Sequence, residues 1–111
     1  MNFSTKALAA AALASLIGVP AAYANCRMPS VPSKIPDGAT ASQQQMVTAM
    51  QTIQEYNHDV HTYLQCLKFE VRQNQLSPDH QVSLHNSVLD QLQQIAARFN
   101  RQVRIFKSKH S

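Results

Sequence analysis

A chain of 111 residues holds one domain at most. Ten Lys/Arg against six Asp/Glu set a formal net charge of +4, and 44% of the residues are apolar. A large enzyme and a doubly wound α/β domain are excluded by length, and a transmembrane protein by the lack of any sufficiently long apolar run.

Residues 1–24 read as a secretory signal peptide. Lys6 supplies the positive start, residues 7–19 an apolar stretch too short to cross a bilayer, and Ala22-Tyr23-Ala24 a small-residue cleavage site. Cleavage after Ala24 leaves Asn25 first and lowers the apolar share to about 37%, a lean supply for a core. It also leaves nine bases and six acids, unevenly spread. Residues 98–111 hold five bases (Arg98, Arg101, Arg104, Lys107 and Lys109) and no acid, so the remainder is net negative.

Residues 25–41 form a proline-rich arm. Pro29, Pro32 and Pro36 favour extended or polyproline II backbone, and Asp37-Gly38 signals a turn. Two cysteines, Cys26 and Cys66, survive cleavage. In an exported chain an even count pairs, and here one intramolecular pairing exists. Free thiols, an intermolecular bond and lipidation of Cys26 are the alternatives. A lipobox wants a small residue before the cysteine, where this chain has Asn25.

Residues 42–111 are expected to form an antiparallel two-helix hairpin, all-α, with helices over about 42–75 and 78–107. Ser42-Gln43-Gln44-Gln45 has the form of a capping box. The first apolar seam runs Met46, Met50, Ile53, Val60, Leu64, Leu67 and Val71 in coiled-coil spacing, with Asn57 filling one slot. Ser77-Pro78-Asp79 starts the second helix, whose seam runs Val82, His85, Leu89, Leu92, Ala96, Phe99, Val103 and Phe106. A short connection forces antiparallel packing. The arm is long enough to fold back along the first helix and be pinned by a Cys26–Cys66 disulfide. Ala49, Tyr56 and Tyr63 recur every seven residues beside the seam and offer it an apolar track. Ile105 adds an apolar residue beside the basic tail, and Val47, Phe69, Leu84, Val88 and Ile95 also fall outside the seams. They pack on the arm, form a homodimer interface or lie scattered on the surface.

The stretch Ile35-Pro36-Asp37-Gly38-Ala39-Thr40-Ala41-Ser42, followed by Met46, Tyr56, Tyr63-Leu64 and Cys66-Leu67, resembles a group of small, uncharacterised exported proteins of Gram-negative bacteria. The likeness covers Cys26 to about Glu70. It implies a periplasmic location and a helical body, and no activity. The basic tail lies outside it.

No nucleophile elbow, zinc-protease motif or phosphate loop occurs, and the cysteines lack redox C-x-x-C spacing. The expectation is a non-enzymatic envelope binding or structural module, without a cofactor and with an unnamed partner. Two alternatives stand beside it. The basic tail Arg98, Arg101, Arg104, Lys107 and Lys109 suits anionic lipid or lipopolysaccharide, or is a solvated face that complements the helix dipole. His58 and His61, one helical turn apart with Glu55 before them and Asp90 expected opposite, suit a metal, or are surface histidines. His85 is expected as a hydrogen-bonded polar residue of the seam. Nucleic acid is not an expected partner, since the periplasm holds little of it.

Overall fold

The structure is a computed structural model that describes residues 26–111; the expected signal peptide and Asn25 lie outside the described residues. Two helices make up most of it, α1 (Gln43–Arg72) and α2 (Pro78–Lys109), and the described residues contain no strand.

Local chemistry sets each helix end. Ser42 caps α1: its hydroxyl accepts from the Gln45 N–H at 3.1 Å, and the Gln45 side chain accepts from the Ser42 N–H at 2.8 Å. This reciprocal box satisfies two donors that the first turn leaves free. The helix stops at Arg72, three residues short of the expected limit. Asn74 takes a left-handed conformation (φ 59°), which asparagine tolerates better than most residues. Its N–H then bonds the Val71 carbonyl at 3.1 Å, and the Gln75 N–H bonds the Glu70 carbonyl at 2.8 Å, a Schellman closure without glycine. Ser77 caps α2 through the His80 N–H, with Pro78 at the first helical position. α2 runs to Lys109, two residues past expectation.

The helices pack antiparallel. Met46 and Ala49 near the start of α1 share a core cluster with Phe99 towards the end of α2. A second cluster joins Tyr56, Val60, Tyr63 and Leu67 to Val88 and Ile95. Burial corrects both expected seams. On α1, Met50 is 42% exposed and Asn57 is exposed, while Ala49, Tyr56 and Tyr63 are buried. On α2, Val82 is 55% exposed, whereas Val88 and Ile95, placed outside the seam by sequence, are wholly buried. Both stripes are rotated towards one side. The cause is residues 26–41, which lie on that side and bury what a bare hairpin would leave wet.

Residues 26–37 have no regular secondary structure, and a turn follows at 38–40. Cys26, Met28 and Ile35 pack on the Tyr56–Ile95 cluster, and Ile35 also reaches the Met46–Phe99 cluster. Cys26 is disulfide-bonded to Cys66, with Cα atoms 5.7 Å apart across a sequence separation of 40. At the other end the turn is closed by bonds from the Thr40 and Ala41 N–H groups to the Asp37 carbonyl, and from the Ala39 N–H to the Asp37 carboxylate. Gly38 sits at its apex, buried against α2, and its N–H donates to Gln102 Oε1 at 2.8 Å. A Cβ here would collide with the Gln102 carbonyl oxygen and lie 2.9 Å from the Phe106 nitrogen. Glycine is needed for this close approach of two backbones.

Two outcomes are expected. Gly38→Ala lifts the turn off α2 and costs about 1–3 kcal/mol, the range for overpacking, read as a lower denaturant midpoint with unchanged helical circular dichroism. Reducing the disulfide costs about 3–4 kcal/mol by restoring the freedom of a loop of about 40 residues, read from the same titration with and without thiol.

Candidate functional site

Three surfaces gather chemically distinctive side chains. The first is the trough between the N-terminal segment and α1. Near the disulfide, Arg27, Met28, Pro29 and Ser30 face Asp59, Thr62 and Tyr63 across a depression of about 360 Å³. Further along, Pro32, Ser33, Lys34 and Pro36 face Gln44, Gln45, Thr48 and Thr52 across an open groove of about 810 Å³. Its walls are hydroxyls and amides with one cation, and Ala49 and Ile35 form its apolar part.

Beneath this trough lie Ala49, Tyr56 and Tyr63, which are 9%, 3% and 5% exposed. Burying Tyr56 leaves its hydroxyl without a hydrogen-bond partner among the described residues, and Gln91 Oε1 on α2 is likewise buried and unpaired. Burial raises the pKa of both phenols above the ordinary 10.0, and the negative charge of Glu70 adds to the effect at Tyr63. Glu70 is itself buried.

The second surface is the basic end. Arg98, Arg101, Arg104, Lys107 and Lys109 are all exposed. They sweep around the outside of α2 and do not form a single flat face, since successive residues turn by about 100°. Arg98 and Arg101 are drawn together with Gln102 and the Ile35-Pro36-Asp37 segment around a notch of about 290 Å³. Lys107 and Lys109 lie in the last turn, where cations complement the helix dipole. Beside them the His110 ring stacks on Phe106 with centroids 4.0 Å apart, and its Nδ1 lies 2.9 Å from the Phe106 carbonyl oxygen.

The third surface is the histidine face. Glu55, His58 and Asp59 border an open depression of about 540 Å³ with Gln51 and Gln54, and His61 is exposed one turn on. Asp90, expected to complete a ligand set with them, instead accepts a bond from its own-helix neighbour Gln94 at 2.9 Å. No group of three His, Cys, Asp or Glu side chains among the described residues is placed to hold a metal ion. His85 is half-buried, and its side chain makes no hydrogen bond among the described residues.

Sequence reasoning missed the contact of Gly38 with Gln102. Two signals pointed to it: Gly38 is the only glycine after residue 24, and Gln102 stands one heptad beyond Ile95. It also missed Val88 and Ile95 as core, although with Gln81 and Gln102 they recur every seven residues.

No helix among the described residues is long and apolar enough to cross a membrane. Comparison with known proteins finds no matching family model, no similar curated protein and no similar solved structure.

The tyrosine track makes a pair of measurable statements. Tyr56→Phe removes an unpaired buried hydroxyl and leaves the thermal midpoint unchanged or raised, whereas Tyr56→Ala costs about 3–5 kcal/mol through the cavity. Because the folded state raises both phenol pKa values, it holds those protons more tightly than the unfolded chain does. The associated stability is complete below pH 10 and is lost as pH rises through the folded-state values, so denaturant midpoints fall on the alkaline side. In Tyr63→Phe that alkaline fall is smaller.

Proposed function

We propose that this chain is a non-enzymatic binding or structural module of the Gram-negative envelope. On this reading it is exported by a signal peptide cleaved after Ala24 and works in the periplasm. The body is a helical hairpin whose extended proline-rich arm acts as a brace. The observation that carries the reading is the Cys26–Cys66 bond, because such a bond persists in oxidising compartments. Binding is favoured over catalysis because most titratable side chains lie exposed on the helix surfaces, and the buried phenols are held protonated.

A second reading concerns what is bound. The notch that joins Arg98 and Arg101 to Gln102 and the Asp37 turn favours an anionic envelope surface, lipid or lipopolysaccharide, as the ligand. Guanidinium groups a turn apart fit phosphate oxygens, and each cation near an anionic surface contributes about 1 kcal/mol.

Two experiments check these readings. The intact mass of chain isolated from the periplasm should begin at Asn25 and be two hydrogens lighter than the reduced form; a lipid mass on Cys26 would reject the soluble, braced form. Vesicles containing anionic lipid, and separately lipopolysaccharide, should bind the oxidised chain at low salt and release it at high salt. Reversing Arg98, Arg101 and Arg104 to Glu should weaken that binding by about a hundredfold or more, from about 1 kcal/mol per cation. Equal binding by the reversed variant would eliminate the anionic-surface reading and leave the module reading intact.

A further inference from the structure

The N-terminal segment has few attachments to the helices it covers. Pro29, Pro32 and Pro36 have no backbone donor, and residues 27–36 make no hydrogen bond among the described residues. The segment is held by the Cys26–Cys66 bond at one end and by the Gly38 N–H on Gln102 at the other. Between these points Met28 and Ile35 pack on the core, and both are only half-buried.

The covalent attachment is within reach of a reagent. Cys26 and Cys66 are half-buried, and both line the open depression of about 360 Å³ at the start of the segment. A disulfide sealed in a core admits no attacking thiolate, whereas one that borders an open depression does. The two sulfurs also differ in their surroundings. Arg27 borders the same depression beside Cys26. On the flank of α1 that carries Cys66, Asp59 stands two turns before it and the buried Glu70 one turn after it. A cation stabilises a thiolate and carboxylates destabilise one, so Cys26 is the better leaving group.

The segment covers a distinctive surface. Tyr56 and Tyr63 lie beneath it in one cluster with Val88 and Ile95. Once Tyr23 leaves with the expected signal peptide, these two are the only tyrosines, and the chain has no tryptophan. The tyrosine signal of the mature chain therefore reports on this cover alone.

We propose that the N-terminal segment is a redox-released strap, which exchange of the Cys26–Cys66 bond with a dithiol reductant frees from the tyrosine track while the hairpin stays folded. One thiolate of the dithiol attacks Cys66 Sγ. The Cys26–Cys66 bond breaks, and its electron pair leaves on Cys26. The second thiolate of the dithiol then attacks the mixed disulfide and releases Cys66. The dithiol ends as a disulfide, and its two electrons and two protons end on Cys26 and Cys66. Loss of the link shifts the ratio of docked to released strap by about a hundredfold or more towards release, from the closure entropy of the loop. A disulfide donor drives the same steps backwards and closes the strap. The proposal does not rest on the anionic-surface reading.

The test treats the disulfide-intact mature chain with a thioredoxin-type C-x-x-C dithiol. Thiols are counted by alkylation and mass, the strap is followed by acrylamide quenching of tyrosine fluorescence, and the helices by circular dichroism. Without denaturant the dithiol should deliver two alkylatable thiols. Both tyrosines should pass from shielded to open with the helical signal retained, and reoxidation should restore the shielding. A chain carrying both Cys26→Ser and Cys66→Ser should show open tyrosines from the start. A dithiol whose second cysteine is changed to serine should stop at a mixed disulfide on Cys66, with Cys26 free. The proposal is overturned by reduction that proceeds only in denaturant, by tyrosines that stay shielded after reduction, by loss of the helical signal together with the bond, or by a mixed disulfide formed on Cys26.

Discussion

Two helices in contact can hide only one stripe each, and a chain this lean cannot widen its stripes with more apolar residues. The N-terminal segment overcomes that limit by acting as a third layer. It is held at one end by the Cys26–Cys66 bond and at the other by the seat of Gly38 on α2. Between these points Met28 and Ile35 turn half-covered tyrosines into core. The rotation of both buried stripes and the unpaired Tyr56 hydroxyl both follow from this one-sided cover. Full burial of a Val, Leu or Ile side chain is worth about 1.5–3 kcal/mol, so shifting a few residues from wet to dry is decisive at this size.

The legible parts of the sequence were those governed by local chemistry. Ser42 with Gln45, and Ser77 with Pro78, mark helix starts because they satisfy backbone donors within one turn. The cysteines were legible by count, and the tyrosine track by its seven-residue spacing. The seams were read less well for a nonlocal reason. Both helices carry apolar residues over an arc wider than one neighbour can cover, so spacing alone does not say which edge is driest. That choice was made by a segment that packs from outside the helices. It favoured Val88 and Ile95 over Val82, and Ala49 over Met50. The end of α1 was read late because Asn74, not a glycine, takes the left-handed conformation that closes it.

The surfaces were legible as composition and less so as geometry. The five bases of the tail were plain in the sequence, but not that two of them would border the Asp37 turn while the others wrap away. The histidine pair shows the converse. Its one-turn spacing was correct, yet a metal site needs a third ligand brought from elsewhere in the fold. The expected contributor, Asp90, bonds within its own helix. Charge is also partitioned in space: by helical periodicity the carboxylates of both helices keep to the covered and outer sides, while Lys68 and Lys107 fall on the side of Met50 and Leu89.

The covalent link joins Cys26 directly to α1 one turn before Glu70, bypassing everything between. Mechanically this is a shunt. Tension applied at Cys26 enters the helix at Cys66 without passing along the proline segment, so the Gly38 contact carries no load while the bond is intact. Cutting the bond would reroute the same pull through the turn and peel it from α2, one weak contact at a time. The segment therefore resists force as part of a closed ring and yields as an open strand, and a single thiol–disulfide exchange decides which.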